Sequence, residues 1–351
     1  MKTFRRKKQT KQNETSRRIT NETVAEHRER ILAGGRRFKY PVQYARHRLV
    51  INTIIISIVT LVVLMVVFWW QLYQQQNSST LFYRVTRVVP LPVAVIDGER
   101  ISYSNYLMGF RSQEHYLRYK EGVELHSKDN QQQLNYYKRK ALDDAVADGY
   151  AAKIAREKGV SVSKEQVDQA MKRQRQSRDG ETSQEAYDAI VLDHYNWTPA
   201  EAREVTERRL LYQEVAYHID TLAIQQREQV AEALKTEQDF DNIAESIPAK
   251  GQARVQAGVT PLVPRNNQDG GLAVTAANQD IGVISEAVRS TTGDGYYFVK
   301  TLEKDETKVS YAYLKVPLTM LDAQLQQKRQ EGSYREFISV EKIASPLVPV
   351  K

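Results

Sequence analysis

Charged side chains are frequent over the first 48 positions and then stop: from Leu49 to Trp70 none is charged, and only Asn52, Thr53, Ser57 and Thr60 are polar. As a helix, a run of 22 residues is about 33 Å long, enough to cross a hydrocarbon core of about 30 Å. A cleavable signal segment has a shorter apolar region followed by small residues, and a water-facing fold seldom needs so long a run for a core helix. The pattern predicts a membrane-spanning helix over 49–70.

Polar residues return at once. Gln-Leu-Tyr-Gln-Gln-Gln-Asn-Ser-Ser-Thr over 71–80 offers little to bury, and 71–92 reads as a linker. Pro90 and Pro92 then frame Val93 to Ile96, closed by Asp97-Gly98, which predicts a strand and a tight turn. From Ser102 the apolar positions recur at three and four, predicting helices over 102–120, 130–158, 164–178, 183–195 and 199–218. Gly159 ends the second, Ser163 and Gln166 have capping-box spacing, and Thr198-Pro199-Ala200-Glu201 adds a proline at the first helical turn. Past His218 come helices near 222–236 and 239–246, a Gly/Pro/Asn-rich stretch over 251–271, and strand-like pieces at Val283-Ile284, Tyr296–Thr301 and Val309–Val316. A last helix starts near Pro317 or Thr319 and runs to about Gln330, with a loose end over the final ten residues.

The expected fold class is therefore α+β: a spanning helix, a mostly helical domain, and a small α+β domain with an antiparallel sheet. The expected divisions are a basic tail over 1–48, the span over 49–70, the linker over 71–92, a helical domain over 93–218, an α+β domain over 219–316, and a C-terminal helix and tail over 317–351.

Charge adds orientation. The net charge is +8, yet residues 1–48 alone carry 15 Lys and Arg against 4 Asp and Glu, which leaves the part beyond the span near −3. Basic flanks stay inside while Trp69, Trp70 and Tyr73 suit the other interface, so the tail is expected in the cytoplasm and the 281 residues after Trp70 outside. A tail with Arg5-Arg6-Lys7-Lys8, Arg17-Arg18 and Arg36-Arg37 fits anionic lipid of the inner leaflet. The near-neutral outer portion does not call for nucleic acid. With no cysteine, disulfides, thiol nucleophiles and Cys-ligated metals are excluded.

Two local patterns carry a resemblance. Val93-Ala94-Val95-Ile96-Asp97-Gly98-Glu99-Arg100-Ile101, then Ala141 to Val146 leading through Lys158-Gly159-Val160-Ser161-Val162-Ser163 to Val167, resembles the SurA/PrsA/PpiD group of extracytoplasmic chaperones and prolyl isomerases over about 93–218. Gln238-Asp239-Phe240 to Ala244, with Ile284-Ser285-Glu286-Ala287-Val288 and Gly295-Tyr296-Tyr297-Phe298-Val299-Lys300, resembles a parvulin domain over about 218–303. In parvulins two histidines and an Asp or Cys line the proline pocket. Here Tyr297 stands where the last-strand His belongs, and Ala257 to Pro261 provides no counterpart of the acidic or thiol position.

Two alignments supply the first-strand position. His218 lies 22 residues before Phe240, at the family's interval, though it follows a helical pattern. Alternatively, Val309–Val316 forms a hairpin with Tyr296–Thr301 through the short link 304–308, giving a permuted sheet in which Tyr313 takes that position.

Prolyl isomerisation needs no nucleophile, metal or cofactor, only a desolvated and twisted imide whose barrier is about 18–20 kcal/mol. With the polar set depleted, the resemblance implies a chaperone that binds unfolded or newly exported chains beside the translocation machinery without efficient isomerase activity. An active isomerase and a structural or adhesion protein of the envelope are the alternatives. The six histidines show no metal spacing. Tyrosine, used 20 times, offers broad amphipathic contact, and Tyr103, Tyr106, Tyr116, Tyr119, Tyr136 and Tyr137 are the candidate peptide-binding residues.

Overall fold

The computed structural model describes residues 20–39, 41–125, 130–177, 180–251 and 253–341. It divides into two units, 1–70 and 71–351. The first holds α1 (Asn21–Lys39) and α2 (Pro41–Trp69). Together with a π-helical turn (Trp70–Gln74), α2 gives one helix, His47–Gln74, long and apolar enough to cross a membrane. Ile54, Leu61 and Met65 stay exposed along it, so it is not the core helix of a water-facing fold.

The second unit begins with a correction. The stretch read as a linker is folded: Leu72 is fully buried, the Tyr103 hydroxyl donates to its carbonyl at 2.6 Å, and the Tyr73 hydroxyl donates to the Pro92 carbonyl at 2.8 Å. A short helix, α3 (Thr80–Val88), follows and buries Tyr83 and Thr86. Two apolar side chains among glutamines, then one amphipathic turn pair, are enough to dock the segment, and neither makes a periodic run long enough to read.

β1 (Pro92–Ile96) and β2 (Glu99–Ser102) form the expected hairpin, with Asp97 and Gly98 both at positive φ. Next come α4 (Tyr103–Tyr119), α5 (Gln131–Lys158) and α6 (Lys164–Gln174). A two-rung hairpin, β3 (Gln176–Ser177) with β4 (Gly180–Glu181), stops α6 short of the expected 178. α7 (Gln184–Tyr195) and α8 (Pro199–Ile219) complete the block. Both capping boxes are formed: Ser163 and Gln166 exchange bonds of 2.7 and 3.3 Å, as do Thr198 and Glu201 at 2.8 and 3.3 Å.

Two further helices, α9 (Thr221–Ala233) and α10 (Phe240–Ser246), lead to a four-stranded antiparallel sheet. Its strands are β5 (Gln256–Pro264), β6 (Val288–Arg289), β7 (Gly295–Lys304) and β8 (Lys308–Pro317), in the order β5-β8-β7-β6, with α11 (Leu272–Asn278) inserted after β5. The expected pairing of 309–316 with 296–301 is present, with Val299 opposite Tyr313 and Tyr297 opposite Lys315. Residues 251–271 are not all loop, because β5 occupies their centre. Val283-Ile284 makes only a single bridge, Ile284 to Lys300. Alternation separates the faces: Tyr296, Phe298, Leu314 and Val316 pack with α9 and α10, while Tyr297, Val299, Val309 and Tyr311 pack with α11.

α12 (Met320–Gln330) runs as expected, but the chain after it is no simple tail. β9 (Tyr334–Glu336) pairs with β1, giving a sheet ordered β2-β1-β9, and Ile338 and Val340 are buried behind it. The final ten residues, expected as a loose end, lie outside the described residues.

Candidate functional site

The sequence-based candidates fall into three places. Tyr297 and Tyr313 share one face of the sheet with ring centroids 5.8 Å apart, and Tyr313 lies over Gly258, where a Cβ would stand 2.5 Å from its ring. His218 does not join them. It is exposed at the end of α8, and the preceding Tyr217 stacks edge-on against Tyr296 of the opposite face. Among the described residues no hydrogen bond or ring contact links His218 to either tyrosine.

Two carboxylates lie beside these tyrosines, Asp294 between Gly293 and Gly295 and Asp269 before Gly270. Asp294 accepts from the Tyr297 hydroxyl and Lys315 Nζ, both at 2.6 Å, and Asp269 accepts from the Tyr311 hydroxyl at 2.7 Å. Burial would raise the Asp294 carboxyl, but the bonds from Lys315, Tyr297 and Thr292 outweigh it and hold it well below the usual carboxylate range. The signal was in the sequence as Gly293-Asp294-Gly295, which reads equally as a turn. The Asp294 oxygens are engaged by Thr292, Tyr297 and Lys315, and those of Asp269 by Ala273 N–H, Asn267 and Tyr311, so the two carboxylates tie their loops to the sheet.

Nor do the six candidate tyrosines form one surface. Tyr103 and Tyr106 are 0% and 1% exposed and form a core row with Tyr73 and Phe110, at centroid separations of 5.5 to 6.0 Å. They are therefore packing residues; the Tyr103 hydroxyl reaches the Leu72 carbonyl, while that of Tyr106 is buried without a partner among the described residues. Tyr119 is exposed, Tyr116 is half-buried, and Tyr136 and Tyr137 are half-buried in edge-on contact.

Periodicity did not reveal a cleft of about 830 Å³ walled by α4, α5, α8 and α12. Its floor is made of small residues: Gly109 faces Ala141, where a Cβ would sit 3.6 Å from the alanine's, and Ala145 lies one turn on. Trp197 closes one end. Asn196, in the left-handed region at φ 54°, ends α7 and turns the chain so that Trp197 precedes the Thr198 cap of α8.

Among the described residues, four buried polar atoms at this cleft have no hydrogen-bond partner: Ser112 Oγ, Trp197 Nε1, Arg208 Nε and Arg329 Nε. The guanidiniums are nonetheless fixed. Arg208 donates through Nη1 to Asn105 at 3.1 Å and Glu204 at 2.7 Å, while its Nε lies 3.6 Å from Asp148, too far for a hydrogen bond. Arg329 donates to Asp143 at 2.8 Å and lies over the Tyr334 ring. Burial pushes the Asp148 carboxyl up to about 6 despite Arg208 beside it. Each orphaned group costs about 1–3 kcal/mol relative to a satisfied one, so the cleft holds an unmet demand for acceptors.

A family model described as the SurA-like N-terminal domain matches residues 44–216, from within α2 almost to the end of α8. It identifies the helical block as SurA-like and supports a chaperone-type, extracytoplasmic protein of the SurA/PpiD kind. No curated protein and no solved structure matches the chain.

Proposed function

With a SurA-like domain over residues 44–216 as the premise, we propose that this chain is a membrane-anchored chaperone that binds unfolded exported polypeptides in the α4–α5–α8–α12 cleft. The observation that carries the reading is the set of buried donors without acceptors along that cleft. An extended chain presents a carbonyl at every residue, spaced about 3.3 Å apart and independent of side-chain identity. Donors that turn toward such a chain on binding select for unfolded backbone and not for sequence, which suits many clients. Side-chain rotamer changes on binding are common at interfaces and would bring the shielded Nε atoms to the ligand.

The basic tail and the aromatic residues at 69, 70 and 73 support an orientation with residues 71–351 outside the cytoplasm. The antiparallel sheet over β5–β8 supports a parvulin-like domain, and the engagement of Asp294 by Tyr297 and Lys315 supports a depleted catalytic set. The test uses the full chain in nanodiscs with a chemically denatured client. Slower aggregation of the client with an unchanged proline-limited refolding rate is the expected result. Faster proline-limited refolding would make the protein an isomerase, and binding to one folded partner with no effect on unfolded chains would make it a structural module.

A further inference from the structure

A second cleft, of about 850 Å³, opens between the start of the folded unit and the helices α4 and α5. One wall is the stretch from Gln71 to Thr80 and the other carries Arg111, Arg118 and Lys138. Arg111 donates to Thr80 at 2.8 Å and lies over the Tyr83 ring, and Lys138 lies over the Phe110 ring. Among the described residues no carboxylate lies within ion-pair distance of any of the three. The lining holds one acid, Glu114, and it accepts from the Ser78 hydroxyl at 2.7 Å. Burial lowers the pKa of both Lys138 and Arg111, and the pull of Glu114 offsets it only in part. Three cations facing one engaged carboxylate form an anion site, and their fork and point-charge geometries together suit phosphate oxygens.

We propose that this cleft binds the phosphate of an anionic lipid headgroup. The chain itself selects lipid over free phosphate. The 22 apolar residues ending at Trp70 span about 33 Å as a helix, already the full hydrocarbon core. The next turn, Gln71–Gln74, belongs to the same helix and rises about 6 Å, the depth of one headgroup layer. The cleft wall thus begins where phosphodiesters lie, whichever leaflet that is, and the inference stands apart from the client-binding reading.

The experiment follows hydrogen exchange of the full chain in nanodiscs of phosphatidylcholine alone, of phosphatidylcholine with phosphatidylglycerol, and of phosphatidylcholine with added inorganic phosphate. Phosphatidylglycerol should protect residues 71–80 and 110–119, and Arg118→Gln with Lys138→Gln should abolish that protection while protection in the basic tail persists. Each cation near an anionic surface contributes about fivefold in affinity, so the double variant should need at least about tenfold more anionic lipid. Equal protection by inorganic phosphate alone would overturn the lipid assignment, and no protection under either condition would overturn the site. A client-binding assay on the same variant, unchanged from wild type, separates loss of this site from loss of the fold.

Discussion

Asp148 is a carboxyl whose hold on its proton is strengthened by its surroundings. Its ordinary value of 3.8 rises to about 6 because burial penalises the carboxylate, with Arg208 and Arg209 opposing that rise and Asp144 adding to it. A carboxyl raised in the folded state binds its proton there while the unfolded chain has released it. Its stabilising contribution is therefore full below about pH 4 and is lost as pH rises through 6. Asp148→Asn should flatten stability between pH 4 and 7 and add about 1 kcal/mol at neutral pH, discounted because 31% of the side chain stays exposed. Denaturation midpoints across pH check it, and an unchanged slope would contradict the account. Residues of this kind are invisible in the sequence, where Asp148 is one acid among several along a charged helix. What buries Asp148 arrives from α8 and α12, distant in the chain.

At the scale of elements, caps decided what could be read. α5, α6 and α8 were legible to within a few residues because Gly159, Ser163 and Thr198 carry stop and start signals with their own hydrogen bonds. β5 was not, since glycine and prolines at 258, 261 and 264 argue against a strand, and only its pairing with β8 makes one. β9 is three residues long and has no local signature. What holds it is Glu336, 14% exposed, which accepts from Arg139 at 2.9 Å and from Tyr334 at 2.8 Å. Breaking a buried pair costs about 3–5 kcal/mol, but Arg139 keeps Asp143, so Glu336→Ala should cost about 2 kcal/mol. Urea denaturation of the full chain followed by circular dichroism measures this. A loss below about 0.5 kcal/mol would mean that β9 is not held by the pair.

In the whole molecule, sequence patterns reached the fold class, the one long apolar helix and the SurA-like block, while the proposed site came only from assembly. The tyrosines that suggested a peptide surface are split between core and rim, because their helical spacing tells which residues share a face and not which face is covered. The cleft instead combines α4, α5, α8 and α12, whose contributions lie more than 200 residues apart, from Asn105 to Arg329. Its claim to be the client site is tested most directly by photo-crosslinking. A photoreactive phenylalanine derivative is placed at Gln113 in the cleft or at Tyr313 on the sheet, in the full chain in nanodiscs with an unfolded client. The account predicts capture of unfolded client from position 113, none from 313, and none of the same client once folded. Capture from 313 with none from 113 would contradict it.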